Sequence, residues 1–280
     1  MKDVTVELNK WLKDNLEERI AADELLKKEK QKAKVPTGMR SKKEIEKENA
    51  VTDPFEQIKD STAKSVLIKT IKNAGGLDTW QRIKNLTYIK HGILYFADGS
   101  VETDNVQLHR YRFYPQFSAE ITWEENNLHH RITYSTDGAR QFQNEILTEK
   151  DPTQTVMSSL YVLGMPFKLL DAGTVLTASG SVILRSGQQA HAIKANYNPE
   201  KNSNHSTTEE WIYYFDENNA AFLGSLVFHP PTYAYIENLK FTDHLPIKLP
   251  LHRKSYRTNR HREIEYLRAE FQYSEYKITF

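Results

Sequence analysis

Histidine is the residue type in this sequence that most often binds metals or transfers protons, and the chain of 280 residues contains ten. His129 and His130 form the one adjacent pair. Neighbouring side chains on a strand point to opposite faces, so this pair could not hold one metal ion together. The sequence has no HExxH motif, no other close metal-ligand pattern of histidine and carboxylate residues, and no cysteine. We therefore predict no metal site and interpret both histidines as solvent-facing strand residues.

Motifs for catalysis and for phosphate binding are equally weak. Thr177 to Ser181 is the nearest match to a phosphate-binding glycine loop, but it lacks the P-loop lysine and lies among strand-like residues. No Gly-x-Ser-x-Gly motif of a serine hydrolase is present. The basic stretch Arg253 to Arg262 could contact phosphate, although a charged hairpin end is the preferred interpretation. The sequence thus predicts no catalytic residue and no cofactor.

Large apolar side chains are the better candidates for a site, because several recur at alternate strand positions. Trp211, Tyr213 and Phe215 share one face of a predicted strand. If such side chains line a concavity they form a site for an apolar ligand, and otherwise they form a packed core. Apolar residues on both faces of these strands also predict a sheet that is covered on both sides in places. The candidate cavity residues are Trp80, Tyr88, Trp123, Met157, Leu160, Tyr161, Met165, Phe167, Trp211, Tyr213, Phe215, Phe228, Tyr233 and Tyr235.

Strands must position most of these side chains, and the sequence after Leu86 consists of successive hairpin patterns. Asp98-Gly99 and Asp137-Gly138 are strong turn signals between runs of β-branched and aromatic residues. The runs predict about 11–12 strands in an antiparallel meander, which is too many to stay flat. We therefore predict a mainly β fold with helices, of the α+β class, in which helices cover a curved antiparallel sheet or incomplete β-barrel.

A helix is predicted over residues 54–74, directly before the first strand. Asp53 is a good N-cap residue and Pro54 suits the first helical position. Gly75 and Gly76 then predict a left-handed C-cap, since glycine has no Cβ to oppose a positive φ. The apolar surface of this helix is expected to pack on the sheet.

Two further helical segments are predicted. Asp78 is expected to cap a short helical turn that carries Trp80. An apolar helical insertion is predicted over residues 152–170, where it interrupts the strand pattern. Pro166 limits the continuation of this helix, and Phe167 adds apolar surface. We expect the insertion either to control access to an apolar interior or to be a static part of the core.

The first 50 residues form a charged leader with a helical pattern, and residues 51–280 are predicted to form a single domain. The leader helix could bind a partner or a membrane surface; alternatively it packs on its own domain or is a solvated arm. Its apolar positions are Leu8, Trp11, Leu12, Leu16 and Ile20.

Composition restricts where this chain could act. The formal net charge of +1 gives no global attraction to nucleic acid or to anionic lipid. The sequence has no apolar run long enough for a transmembrane helix, and its start lacks the apolar core of a signal peptide. We therefore expect either a cytoplasmic protein or a mature cell-envelope protein whose export signal has been removed.

Four segments together resemble a family of uncharacterised bacterial cell-envelope proteins. They are Ala74 to Trp80, Gly164 to Leu169, Trp211 to Asp216 and Leu249 to Tyr256. That family is similar to the lipoprotein carriers of the LolA and LppX type, and the resemblance covers residues 55–280. It implies an incomplete β-barrel whose helix-covered concave side is able to hold acyl chains. It implies no catalytic residues.

The leading hypothesis is a non-enzymatic protein of the cell envelope that binds or carries a lipid, an acyl chain or a lipid-modified partner. Peripheral association with the envelope membrane is compatible with this hypothesis. One alternative is an enzyme that acts on a hydrophobic substrate in the same cavity. Another is a structural or interaction module with a filled core. A cavity above about 300 Å³ would favour the first two hypotheses, whereas a filled concavity would favour the last.

Overall fold

The computed structural model describes residues 53–198, 201, 210–229 and 232–280. The predicted leader, most residues of the polar stretch 198–206, and Pro230 and Pro231 lie outside the described residues. Residues 53–280 cluster into one unit of the chain. Within the described ranges, no helix has the length and apolarity needed to cross a bilayer.

Thirteen antiparallel strands form one open, curved sheet in the described residues. The strands are β1 (Asn85–Tyr95), β2 (Val101–Arg112), β3 (Ser118–Glu125), β4 (Leu128–Ser135), β5 (Gly138–Gln143), β6 (Ile146–Leu147), β7 (Thr174–Ile183), β8 (Gln189–Tyr197), β9 (Glu210–Asp216), β10 (Phe222–His229), β11 (Thr232–Phe241), β12 (Pro250–Thr258) and β13 (Ile264–Thr279). The curved antiparallel sheet predicted from the hairpin signals is thus confirmed. The strand count exceeds the prediction because Asn144 and Glu145 adopt positive φ and split one predicted strand into β5 and β6.

Two meanders meet in the middle of this sheet. The strand order is β6-β5-β4-β3-β2-β1-β13-β12-β11-β10-β9-β8-β7, so the first six strands run outward from β1 and the last seven run inward to β13. Asn85 of β1 pairs with Arg112 of β2 on one side and with Thr279 of β13 on the other. The sheet edges are therefore β6 and β7, which are consecutive in the chain.

Residues 148–173 connect the two edges, and we call them the crossing segment. The segment contains helix α3 (Thr153–Leu163) and a 3-10 turn (Phe167–Leu170), and it covers the concave face of the sheet. Leu160 packs against the half of the sheet that contains β1, and Tyr161 packs against the half that contains β9. The predicted insertion therefore spans both halves of the interior.

The predicted helix over 54–74 is two elements. A 3-10 turn (Pro54–Gln57) is followed by an extended link and then by α1 (Ser61–Asn73). The division occurs because Asp60, in extended conformation, caps α1. Asp53 caps the 3-10 turn as predicted, since its carboxylate accepts the N–H of Phe55 at 3.0 Å.

The short helix α2 (Leu77–Gln81) begins differently from the prediction. Its N-cap is Gly76, with no side-chain cap, and Asp78 lies inside the helix, so the predicted cap at Asp78 is wrong. Gly75 and Gly76 both have positive φ, as predicted. Consecutive positive-φ residues turn the chain sharply, which leaves no room for a separate capping residue after them.

Buried side chains form two clusters on the concave face and one on the convex face. The first concave cluster joins α1 to β7–β10, and the second joins α2 and α3 to β1–β4, to β13 and to the segment that precedes β12. The convex cluster includes Ile212, Tyr214, Leu226 and Tyr235. The apolarity predicted on both faces of these strands is therefore present, and the described helices pack on the concave face.

Candidate functional site

Strand alternation builds a layered surface on the concave face of β1 and β2. Leu86, Tyr88 and Lys90 follow one another on that face of β1. Tyr111 lies opposite Leu86, and His109 lies opposite Tyr88. Along the strands the surface therefore changes from aliphatic, to aromatic with polar atoms, to cationic.

The aliphatic layer lies beneath the crossing segment. Leu86 is fully buried in a cluster with Val156, Leu160 and Leu163 of α3. Ile247 belongs to the same cluster and has almost no exposed surface. This layer removes hydrocarbon from water, with the ring of Tyr111 opposite Leu86, so its chemistry suits an acyl chain.

Tyrosine and histidine side chains form the second layer. Tyr88 stacks on His109 with ring centroids 4.7 Å apart, and Tyr273 and Tyr276 lie 5.9 and 5.5 Å from Tyr88. Burial, together with the charge of Lys90, lowers the pKa of His109 well below its ordinary value, so this imidazole is neutral at pH 7.

The hydrogen bonds of His109 fit that neutral state. Nε2 lies 3.0 Å from the Gln107 side-chain oxygen, and Nδ1 lies 3.2 Å from the Tyr111 hydroxyl. Nε2–H therefore donates to Gln107, and Nδ1 accepts from Tyr111. With both ring nitrogens engaged, this histidine holds its neighbours in place and is not set up for proton transfer.

Two cations form the third layer. Lys90 Nζ lies 4.7 Å from the centre of the Phe271 ring. Arg253 is only 6% exposed, and its Nε donates to Asn238 at 2.8 Å. Burial, and secondarily the charge of Arg253, lower the pKa of Lys90 to about 8. Gly92 makes room for this arrangement, since a Cβ there would lie 3.3 Å from the Phe271 ring.

Three buried hydroxyls meet in the other half of the interior. Tyr161 of α3 lies 2.5 Å from the Tyr197 hydroxyl and 2.8 Å from the Tyr213 hydroxyl, and the latter two are 3.0 Å apart. In such a triangle each hydroxyl can donate one hydrogen bond and accept another. This tyrosine triangle joins the crossing segment to β8 and β9.

A stacked aromatic pair lies between the two concave clusters. The rings of Trp80 and Phe167 are parallel, with centroids 5.0 Å apart, and Phe113 meets Trp80 edge to face. Phe167 belongs to the first cluster, while Trp80 packs against both. The pair therefore connects α2 to the crossing segment.

The candidate cavity residues divide between the two faces. Most of them lie on the concave side, in the strands or in the elements that cover it: Trp80, Tyr88, Trp123, Leu160, Tyr161, Met165, Phe167, Trp211, Tyr213 and Phe215. Met157 is half-buried on α3. Phe228, Tyr233 and Tyr235 belong to the convex side, where Phe228 and Tyr233 meet edge to face.

The structure revises two predictions, one for the histidine pair and one for the basic stretch that begins at Arg253. His129 and His130 do face opposite sides: His129 Nδ1–H donates to the Glu124 carboxylate at 2.8 Å, while His130 stacks on Trp123 with ring centroids 4.8 Å apart. His130 is half-buried with an unpartnered Nδ1, so the solvent-facing interpretation is wrong for it. The charged hairpin end predicted from Arg253 onward is wrong for Arg253 itself, which is buried within β12.

Sequence reasoning missed six concave-face residues of the layered surface. They are Lys90, His109, Tyr111, Arg253, Tyr273 and Tyr276. Alternation from Tyr88 would have placed Lys90 beside it on one face. The nearness of Arg253 to Lys90 had no sequence signal, since it depends on the pairing of β1 with β13 and of β13 with β12.

Two depressions in the described surface lie away from the concave interior. One of about 510 Å³ is open and is lined mainly by convex-face residues such as Ile89, Val106 and Leu108, with Trp123 at its border. The other, of about 200 Å³, lies between α1 and the β9–β10 turn. Among the described residues, no three His, Asp or Glu side chains converge as metal ligands. The interior itself is packed with side chains, and its arrangement suits binding better than acid–base chemistry.

Comparison with known proteins finds similarity in structure but not in sequence. The sequence matches no protein-family model and no curated protein. The structure is similar to a LolA superfamily protein from Nitrosomonas europaea, with a TM-score of 0.50 and 8% identity over 78% of this chain and 94% of that one.

Two other solved structures are also similar. A putative outer membrane lipoprotein-sorting protein domain from Vibrio parahaemolyticus has a TM-score of 0.48 at 9% identity, over 76% of this chain and 93% of that one. The lipoprotein LppX from Mycobacterium tuberculosis has a TM-score of 0.28 at 10% identity, over 76% and 94%. The similarity to the Nitrosomonas europaea protein confirms the expected likeness to the LolA type at the level of structure, and the chain has a LolA-like fold.

Proposed function

We propose that this protein is a non-enzymatic carrier or binder of a lipid, an acyl chain or a lipid-modified partner in the bacterial cell envelope. The observation that carries the proposal is the layered concave face, whose aliphatic layer lies under a helical cover. The LolA-like fold, which the chain shares with the Nitrosomonas europaea protein, is consistent with it.

The interior is packed in this structure, so a ligand needs the cover to move. The two covering helices are held differently. Helix α1 is fixed at both ends, because Asp60 accepts from the Ala178 N–H and the Lys248 N–H donates to the Ala74 carbonyl. In contrast, α3 contacts the sheet mainly through apolar side chains and the tyrosine triangle. We infer that the crossing segment opens while α1 stays in place.

Direct detection of a bound lipid tests the function. The purified protein is extracted with organic solvent, and the extract is analysed by mass spectrometry. The delipidated protein is then titrated with a fluorescent fatty acid. We expect a stoichiometric lipid in the extract and saturable fluorescence binding. An empty extract together with no binding by the delipidated protein would contradict the proposal.

The opening of the cover is tested by cysteine labelling, since the chain has no native cysteine. Val156 lies on α3 and Ala63 lies on α1, and both side chains are fully buried on the inner faces of these helices. We expect Val156→Cys to react with a maleimide faster than the matched variant Ala63→Cys, and bound fatty acid to change the rate at Val156 alone. Equal rates in both variants would argue against a separate opening of the crossing segment.

A structural or interaction module is the second candidate, and the packed interior favours it. In that case the crossing segment is a fixed part of the core and the protein binds its partners by an outer surface. The lipid extraction distinguishes the two candidates, because a fixed core leaves no room for an acyl chain.

A further inference from the structure

Lys90 and Arg253 are two buried or half-buried cations on the same part of the concave face, and neither has an anionic partner among the residues that the structure describes. Within the described residues, the Lys90 ammonium makes no hydrogen bond or ion pair, and its contact is the Phe271 ring. The guanidinium of Arg253 donates through Nε to the neutral amide of Asn238. Buried charges are normally paired, so this arrangement calls for an anion from elsewhere.

Two carboxylates on the strands that flank β12 are engaged on the other face of the sheet. Glu270 lies on the opposite face, where it accepts from His252 at 2.6 Å and lies 3.9 Å from Lys254. Glu237, also on that face, accepts from the Tyr256 hydroxyl.

On the concave face, alternation places Glu125 on the same side as Trp123, and its carboxylate accepts from the Trp123 indole N–H at 3.4 Å. None of these groups compensates the two cations. A second observation therefore joins the burial: no carboxylate among the described residues pairs with either cation.

The position of the cations relative to the other layers suggests the shape of the ligand. Moving along β1 from Leu86 to Lys90, the concave face passes from the aliphatic layer through the tyrosine layer to the cations. Arg253 lies at the level of Phe271 and Gly92, one strand beyond β13. Such a gradient matches a molecule with an apolar chain and a charged end.

We propose that Lys90 and Arg253 bind the anionic head group, a carboxylate or a phosphate, of an amphiphile whose acyl chain occupies the aliphatic layer beneath the crossing segment. This inference rests on the proposed carrier function and specifies its ligand class. Arg253 offers a planar pair of N–H donors to two oxygens of the head group. Lys90 adds a positive charge, and the Asn238 amide holds the guanidinium in position.

The experiment compares two probes of equal chain length, a fluorescent fatty acid and the corresponding fatty alcohol, with the full-length delipidated protein. We expect the acid to bind about tenfold or more tightly than the alcohol, since hydrogen bonds to charged groups are stronger than neutral ones. Arg253→Gln and Lys90→Gln should each weaken binding of the acid and leave binding of the alcohol unchanged. Arg253→Lys should retain most of the preference if Arg253→Gln fails to fold.

Lys254→Gln is the matched control, because Lys254 follows Arg253 on β12 but faces the other side. This variant should keep the full preference for the acid. Equal affinities for acid and alcohol in the unaltered protein would overturn the head-group inference and leave the carrier function standing. Binding of neither probe would overturn the carrier function itself.

Inorganic phosphate distinguishes a head-group site from a site for a free anion. We expect millimolar phosphate to compete weakly with the fatty acid, because phosphate lacks a chain to bury. If phosphate alone binds as tightly as the acid, and Arg253→Gln abolishes that binding, the site serves a free anion and the amphiphile inference is wrong.

Discussion

The carboxylate of Asp60 links α1 to the edge strand β7 through Ala178. One oxygen accepts the N–H of Ala63 at 2.9 Å, and the other accepts the N–H of Ala178 at 3.0 Å. A single side chain therefore caps a helix and occupies a donor on an open sheet edge. These hydrogen bonds, first to Ala63 and then to Ala178, lower the pKa of Asp60 below its ordinary value of 3.8.

We expect Asp60→Ala to lower the melting temperature at neutral pH. Because the folded-state pKa of Asp60 is depressed, the stabilisation is present above the unfolded-state pKa and is lost as pH falls through the folded-state pKa. The difference in melting temperature between the two proteins should therefore shrink below about pH 4. Asp243→Ala is the control, since that side chain is 98% exposed. An Asp60→Ala protein as stable as the unaltered one at pH 7 would refute this role.

Gly75 and Gly76 allow a matched test of backbone fit. Both have positive φ, but a Cβ on Gly75 would lie 2.3 Å from the Pro246 carbonyl oxygen, whereas a Cβ on Gly76 meets no atom within 4 Å. Gly76 has φ 88° and ψ 150°, a backbone region that essentially only glycine adopts, so Gly76→Ala should destabilise by about 1–3 kcal/mol from its backbone alone. Gly75→Ala should destabilise clearly more, because α1 must move away from residues 246–248. Denaturant unfolding measures the free energy of unfolding of both variants. Equal losses of stability would contradict the close approach of Gly75 to Pro246.

The tyrosine triangle predicts a link between stability and opening. Tyr161→Phe removes one of three mutually bonded hydroxyls and should destabilise by about 1 kcal/mol. If the crossing segment opens, this variant should also bind a fluorescent fatty acid faster in stopped-flow measurements. Tyr114→Phe is the control, because Tyr114 is largely exposed. A destabilised Tyr161→Phe protein with an unchanged binding rate would show that the tyrosine triangle stabilises the fold but does not control the opening of the crossing segment.

The Trp80–Phe167 stack gives a second test of the cover. Phe167→Ala should destabilise by about 3–5 kcal/mol if the turn is a static part of the core. If the turn controls access, fatty-acid uptake should change more than stability does. Leu169→Ala is the matched comparison, since Leu169 is buried on the same turn but has no stacking partner. A large stability loss with unchanged uptake would end the gating hypothesis.

Lys90 predicts an unusual dependence of stability on alkaline pH. Its folded-state pKa is lowered to about 8 from the ordinary 10.5, mainly by burial. Between these values the unfolded chain binds more protons than the folded one, so this residue makes stability rise with pH. Lys90→Met should therefore be more stable than the unaltered protein at pH 7, and the gap should narrow from pH 8 upward. Lys254→Met controls for the loss of a lysine. A difference in stability between Lys90→Met and the unaltered protein that does not change with pH would refute the lowered pKa of Lys90.

Local turn chemistry explains why so much of the fold was predictable. The Asp-Gly signals at Gly99 and Gly138 correspond to positive-φ residues between paired strands, as predicted. Asp53, Gly75 and Gly76 likewise acted through their own backbone preferences. These features depend on a few neighbouring residues, which a single sequence contains in full.

The candidate site was less predictable because it depends on distant strand pairs and on which face the helices cover. Alternation grouped Trp211 with Tyr213, and Tyr233 with Tyr235, but it could not tell that the first pair is concave and the second convex. Lys90 and Arg253 come together only through β13, which pairs with both of their strands. Their lack of an anionic partner among the described residues becomes visible only once the acidic residues of the described strands have been placed.

The pairing of β1 with β13 also determines the order in which the sheet can be completed during synthesis. β1 emerges first among the strands, yet its partner Thr279 lies on the strand synthesised last of those described. Until then the central strand of the sheet has one open edge, and each meander is limited to its own local hairpins. Contacts of such long range form slowly, since they close a loop of nearly the whole domain. A ribosome-bound chain that has not yet exposed β13 is therefore the species most open to pairing with other chains.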